Sequence, residues 1–373
     1  MTATTASNPE LEAAILEAPD NVDAYLVYGD WLQVQGDPRG ELIALQHAAS
    51  LATGTEASDL KRKVTTLIKK NRPLLLGALA EAAKEQEVTV EWHLGFIRSA
   101  RLARKDFHST WDVAEAAYEL LTHPSARFIR GLTIGMVDFE GNNSYADVVD
   151  QMVEAGGSKT LQDLFIGDFE YPGETEMSWS RLSDVSKALK VFPNLRTLRL
   201  RGGELELGDI DLPELRAFTA ESGGLPLAAV KSIANAKWPK LERLEIWFGS
   251  DNYGAGGGVE DLQPILDGKG LPNLQRLGLR NSEFTDELCT ALPTAKVLPR
   301  LETLDLSMGV MSDEGARALA GHAATFSHLK RLDVTDNMLT DEGQTLLSKA
   351  LPNVSAGHQR EFDEDYRYAS VSE

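Results

Sequence analysis

Residues 301–320 read LETLDLSMGVMSDEGARALA, and residues 329–347 read LKRLDVTDNMLTDEGQTLL. Each stretch carries apolar residues at L-x-x-L-x-L spacing: Leu301, Leu304 and Leu306 in the first, Leu329, Leu332 and Val334 in the second. The last two of each set alternate with polar residues, the period of a strand with one buried face. A further apolar residue follows, Met311 or Leu339, and then Ser312-Asp313-Glu314 or Thr340-Asp341-Glu342. A hydroxyl followed by two acids marks a helix start, because the oxygen caps free amides and the carboxylates sit at the positive end of the helix dipole. One unit is therefore a strand, a turn and a helix. Such a unit closes no core alone, so copies must stack.

The same spacing runs upstream. It recurs at Leu195, Leu198, Leu200, at Leu215, Phe218, Ala220, at Leu241, Leu244, Ile246, and at Leu274, Leu277, Leu279. From Leu195 to Leu329 the leading positions are 20, 26, 33, 27 and 28 residues apart. Weaker copies lie at Leu161, Leu164, Ile166, at Ile129, Leu132, Ile134, and at Ile97, Ala100, Leu102. Leu351-Pro352-Asn353-Val354 opens a unit that is not completed. Proline stands two residues before the leading leucine at Pro193, Pro213, Pro239, Pro272 and Pro299, where it ends one element and turns the chain into the next strand. The pattern predicts an α/β fold: a curved solenoid with a parallel sheet on its concave face and helices on its convex face.

These units resemble the ribonuclease-inhibitor type of leucine-rich repeat, closely over residues 271–351 and more loosely over 129–270, where spacing varies and Gly249 to Gly258 forms a glycine-rich insertion. That resemblance implies a full helix behind each strand. Residues 11–46, LEAAILEAPDNVDAYLVYGDWLQVQGDPRGELIALQ, resemble a short bacterial repeat-companion domain that precedes leucine-rich repeats, with Gly29 where that domain usually has alanine. A bacterial source is implied. Read on their own, Leu11, Ile15, Leu26, Leu32, Ile43 and Leu45 line helices joined through Gln35–Glu41, with Trp31 buried in the hairpin. The expected organisation is a disordered start over residues 1–8, a small all-α module over 9–88, the leucine-rich-repeat solenoid over 89–356, and an acidic, frayed tail over 357–373.

A formal net charge of -20 repels phosphate backbones and anionic membranes, so the expected partner is a protein, with no nucleic acid and no membrane. Cys289 is the single cysteine, and the seven histidines show no H-E-x-x-H spacing. No G-x-S-x-G elbow or phosphate-binding glycine loop occurs. Catalytic, cofactor-binding and metal residues are accordingly none. The run Gly254–Gly258 lacks the preceding strand of a dinucleotide unit and reads as a loop, and the basic stretch from Lys61 to Arg72 reads as a solvated helix face. The first residues lack a signal-peptide pattern and no long apolar run follows, so a cytoplasmic protein is expected; the expected oligomeric state is a monomer.

Strand positions between the inward residues must point out of the concave face. Arginine and aromatic residues are frequent there, and such residues dominate contact energy when a partner dehydrates them. The candidate protein-binding residues are Arg199, Arg201, Arg243, Glu245, Trp247, Arg276, Arg280, Asp305, Arg331 and Asp333. The competing reading is a ladder of exposed lateral ion pairs, each contributing about 0.2 to 1 kcal/mol. The expected function is a non-catalytic protein-protein interaction scaffold that binds a protein partner on the concave face. The resemblance to ribonuclease-inhibitor-like horseshoes adds the alternative of a regulator, inhibitor or activator, of a GTPase or nuclease. A hydrolytic enzyme using exposed carboxylates ranks last.

Overall fold

Five helices precede the sheet in the computed structural model, which describes residues 6–361 and 367–372: α1 (Pro9–Glu17), α2 (Val22–Val34), α3 (Pro38–Leu51), α4 (Gly54–Lys70) and α5 (Arg72–Leu76). Local sequence sets their starts. Asn8, Asn21 and Asp37 each accept a bond from a first-turn amide, and Pro9 and Pro38 fill first helical positions that need no N–H. Ile15, Tyr25, Tyr28, Leu32 and Ile43 share one buried cluster with Leu94, Phe96 and Phe128, so this module is continuous with the start of the array.

Two expectations are corrected here. Trp31 is half-buried and stacks on Tyr28, ring centroids 5.9 Å apart, while Tyr28 takes the interior place against Phe96. Of residues 1–8, expected to be disordered, Asn8 caps α1 and the Ala6 carbonyl accepts from Arg39 at 2.9 Å; residues 1–5 lie outside the described residues. Arg39 is fully buried. It forms two bonds to Asp37, at 2.6 and 3.0 Å, and donates to the Pro124 carbonyl at 3.2 Å, which ties α3 to the array.

The strands are β1 (Val88–His93), β2 (Phe96–Leu102), β3 (Gly131–Gly135), β4 (Asn143–Ser144), β5 (Asp163–Asp168), β6 (Ser180–Asp184), β7 (Thr197–Arg201), β8 (Gly203–Glu206), β9 (Ala217–Glu221), β10 (Arg243–Gly249), β11 (Arg276–Ser282), β12 (Thr303–Asp305), β13 (Arg331–Asp333) and β14 (Val354–Ser355). Eleven form one sheet in the order β1-β2-β3-β5-β7-β9-β10-β11-β12-β13-β14, parallel except for the β1–β2 hairpin that closes its first edge. The hairpin needs Gly95, since a Cβ there would lie 2.5 Å from Ile43 and 2.8 Å from the Arg39 carbonyl, and its φ is +81°. The inward residues stack in register through Leu198, Phe218, Leu244, Leu277, Leu304 and Leu332, each fully or almost fully buried.

Behind the sheet lie α6 (Val113–Thr122), α7 (Ala146–Glu154), α8 (Ser186–Val191), α9 (Leu227–Asn235), α10 (Gln263–Leu266), α11 (Thr285–Ala291), α12 (Asp313–Gly321), α13 (Ala323–Phe326) and α14 (Asp341–Ala350). A helix does not stand behind every strand. The 20-residue unit starting at Leu195 returns through β8 instead, which pairs in a second, three-stranded sheet β4-β6-β8. So short a unit leaves no length for a helical return. Ser312 and Thr340 cap α12 and α14 as their sequence predicts. The aspartates beside such caps also bind the following unit: Asp286 accepts from the amides of Ser312 and Gly315 at 2.8 and 3.1 Å, and Asp313 accepts from Thr340 at 3.1 Å.

The tail is the largest correction. Expected to be frayed, it returns over residues 367–372 to the C-terminal ends of the strands, with Ala369 and Val371 buried; residues 362–366 lie outside the described residues. The sequence is polar and unpatterned there, and only a pocket elsewhere in the fold gives Val371 a place.

Candidate protein-binding surface

Parallel pairing converts the outward positions into columns, with neighbours about 4.8 Å apart. Arg243 aligns with Arg276, Glu245 with Gly278, and Trp247 with Arg280. Thr303 of β12 aligns with Arg276 and with Arg331, and Asp305 aligns with Asp333. On the other side β9 separates β10 from β7, with Arg199 opposite Thr219 and Arg201 opposite Glu221. All ten candidate residues therefore face the same concave surface, in three groups.

On β7 and β9, Arg199 and Arg201 converge on Glu221. Their Nε atoms donate to its two carboxylate oxygens at 2.6 and 2.5 Å, and the Glu221 side chain is only 3% exposed. Arg199 also lies over the Phe165 ring at 4.4 Å, and Arg201 donates to the Phe169 carbonyl at 2.5 Å. Both arginines are thus held by groups inside the fold.

A second group is built round Trp247. The Arg280 guanidinium sits 4.8 Å from the indole centroid and donates to Glu245 at 2.8 Å and to Ser307 at 3.0 Å. The indole N–H donates to the same Glu245 oxygen at 2.8 Å, and Asp305 lies 3.5 Å from Arg280. Burial pushes the Asp305 carboxyl above its usual range, against the pull of Arg280. The second group extends from Asp305 to Asp333, its neighbour in register, which pairs with Arg331 at 2.5 Å.

The third group is Arg243 and Arg276. Both are exposed and side by side, and among the described residues neither forms an ion pair or side-chain hydrogen bond. Residues 298–320 and 327–348 match the Leucine Rich repeat family. These units are leucine-rich repeats. A solved protein of Bacteroides fragilis is 27% identical over 86% of this chain and 89% of that one, with a TM-score of 0.66. A leucine-rich-repeat protein of Leptospira interrogans is 19% identical over 70% of this chain and 55% of that one, with a TM-score of 0.34. InlP of Listeria monocytogenes is 14% identical over 78% and 68%, with a TM-score of 0.29. No curated protein matches the chain.

Within the repeat array, sequence reasoning placed the candidate residues on one face but missed their partners. Glu221 stands at an outward position of β9, and nothing local in its surroundings shows that two arginines from the same neighbouring strand bury it. Phe165 and Phe169, which support those arginines, were equally silent. Among the described residues no group of three or more His, Cys, Asp or Glu side chains is placed to hold a metal ion, and no helix is long and apolar enough to cross a membrane. Cys289 is buried, and desolvation holds its thiol well above the usual range, which disfavours a reactive thiolate.

Proposed function

We propose that this protein is a non-catalytic protein-interaction scaffold whose concave face takes an acidic patch of a protein partner at Arg243 and Arg276, with the Arg280–Trp247 stack beside them. The reading rests on one observation: two adjacent, exposed arginines without an acidic partner, in a chain of net charge -20. Like charges side by side are unfavourable in the free protein, and an incoming carboxylate relieves that repulsion. Trp247 supplies a rigid aromatic surface of the kind that anchors interfaces.

The residues divide by role under this reading. Arg243, Arg276, Trp247 and Arg280 touch the partner; Glu245 and Asp305 orient Arg280; Arg199, Arg201, Arg331 and Asp333 serve mainly the array. The organisation proposed with it is a helical companion module over 9–88 and a ribonuclease-inhibitor-like array over 89–356, acting as a cytoplasmic monomer. Its test is crosslinking and affinity purification with the intact protein and with Arg243→Glu/Arg276→Glu. A partner captured by the first should be lost with the second, while circular dichroism and elution volume stay unchanged. A partner captured equally by both moves the site off this face.

A further inference from the structure

Residues 367–372 are held at the C-terminal ends of the strands in the way an extended peptide ligand is held. Ser370 donates its amide to the Met308 carbonyl at 2.9 Å. Val371 donates its amide to Asn281 Oδ1 at 2.8 Å, and Asn281 Nδ2 donates back to the Val371 carbonyl at 2.5 Å. A side-chain amide that satisfies both backbone groups of one residue reproduces the paired bonds of a neighbouring strand. Asn281 is fully buried and adopts φ +54°, a left-handed conformation that asparagine tolerates better than other side chains. Asn337 differs in degree, since its amide is bonded wholly to the array's own backbone, at Met311 and Leu306, whereas the one such bond of the Asn281 amide among the described residues is the long one from Nδ2 to the Ser222 carbonyl at 3.4 Å.

The side chain of Val371 enters a pocket of Met136, Phe169 and Met177, rimmed by Trp247 and Met308. Methionines and aromatic rings adapt to short apolar groups of differing shape. The next residue needs a bare backbone opposite it: a Cβ on Gly223 would lie 2.5 Å from the Ser372 carbonyl oxygen. The groove thus reads an extended main chain, one short branched side chain and, at its start, the Arg367 guanidinium, which donates to Asp286 at 3.0 Å and to the Val310 carbonyl at 2.7 Å.

We propose that this groove is a peptide-binding site, that residues 367–372 are its resident ligand in cis, and that an extended segment of a protein partner bearing a valine-sized residue displaces them. The site is separate from the Arg243–Arg276 pair and borders it through Trp247 and Arg280. A tethered ligand is present at a high effective concentration, so its occupancy suppresses binding of a free peptide. Displacement would also uncover the edge of the Trp247 surface.

The test uses the full-length protein and a fluorescent synthetic peptide with the sequence of residues 367–372, RYASVS. Val371→Asp releases the resident segment, because an unpaired carboxylate is not accommodated in an apolar pocket. This variant is expected to bind the peptide about tenfold or more tightly than the unaltered protein. The same peptide with Asp in place of valine should not bind, and adding Asn281→Ala to Val371→Asp should abolish the gain. Should Val371→Asp fail to fold, Ser370→Pro removes the amide donated to Met308 without adding a charge, and the same titration is run on it. Equal binding by the altered and unaltered proteins overturns the proposal. Loss of the folding transition in both variants also overturns it, as the segment is then a structural strut. A concentration-dependent dimer of the unaltered protein, dissociated by the peptide, replaces the in-cis assignment with exchange between copies.

Discussion

Arg199 and Arg201 on β7 stand in the same kind of outward position as Arg243 and Arg276 on β10 and β11, yet the two pairs do different work. The first pair closes on Glu221, whose side chain is 3% exposed, and is braced by Phe165 and Phe169. The second pair faces solvent with no acid bonded to it. A strand position specifies only that a side chain points out of the concave face. Whether it is structural or available depends on what the neighbouring strands offer: Glu221 beside Arg201, with Phe165 and Phe169 bracing the pair, against another arginine beside Arg243.

The comparison collapses if the inward and outward columns are misassigned, and Leu304→Asp tests that most severely. Leu304 is fully buried at the centre of β12, so an unpaired carboxylate there is expected to remove the cooperative folding transition of the array. An unchanged melting curve breaks the alternation on which both pairs depend. Next in size is Glu221→Ala, which leaves two guanidinium groups without their buried partner. Urea unfolding should show a loss of about 2 kcal/mol, less than stranding a fully buried charge costs, because Arg199 and Arg201 keep 41% and 18% of their side chains exposed. A loss within about 0.5 kcal/mol would place Glu221 among ordinary surface residues.

Single truncations of the arginines sharpen the contrast further. Arg199→Ala should lower stability by about 1 kcal/mol, the upper end for a partly exposed pair. Arg243→Ala should raise it by about 0.3 kcal/mol, because like charges on adjacent strands repel. Equal effects in denaturant titrations would erase the distinction. Asp305 gives the smallest effect, read through pH. Burial raises its folded-state pKa above the unfolded value, so the folded protein holds the extra proton in the window just above the ordinary carboxylate range. Stability from this group is full below that range and is lost as pH rises through the folded pKa. Asp305→Asn should therefore flatten this descending limb and raise stability at neutral pH by a few tenths of a kcal/mol, about the scale of ordinary surface changes.

Much of the fold was legible because stacking units repeat one solution. The L-x-x-L-x-L spacing located the parallel strands of the array, and Ser312 and Thr340 marked helix starts, since both signals depend on residues near in sequence. The antiparallel β1 and the second sheet were not legible. The second sheet depends on pairing across unit boundaries, as does the coupling of Asp286 and Asp313 to the next repeat's helix, while β1 turns back on β2 through Leu94 and Gly95 and carries no repeat spacing of its own.

The sequence by itself determined the repeat, its α/β class and which side chains leave the concave face, because those follow from local periodicity. Tertiary structure alone decided which arginines are engaged, since that requires Glu221 and Phe165 from other strands. It also decided the fate of residues 367–372. Val371 is an isolated apolar residue in a polar segment, with no periodic signal. Its burial arises only where Met136, Phe169, Met177 and Asn281, far apart in the chain, meet at the ends of the strands.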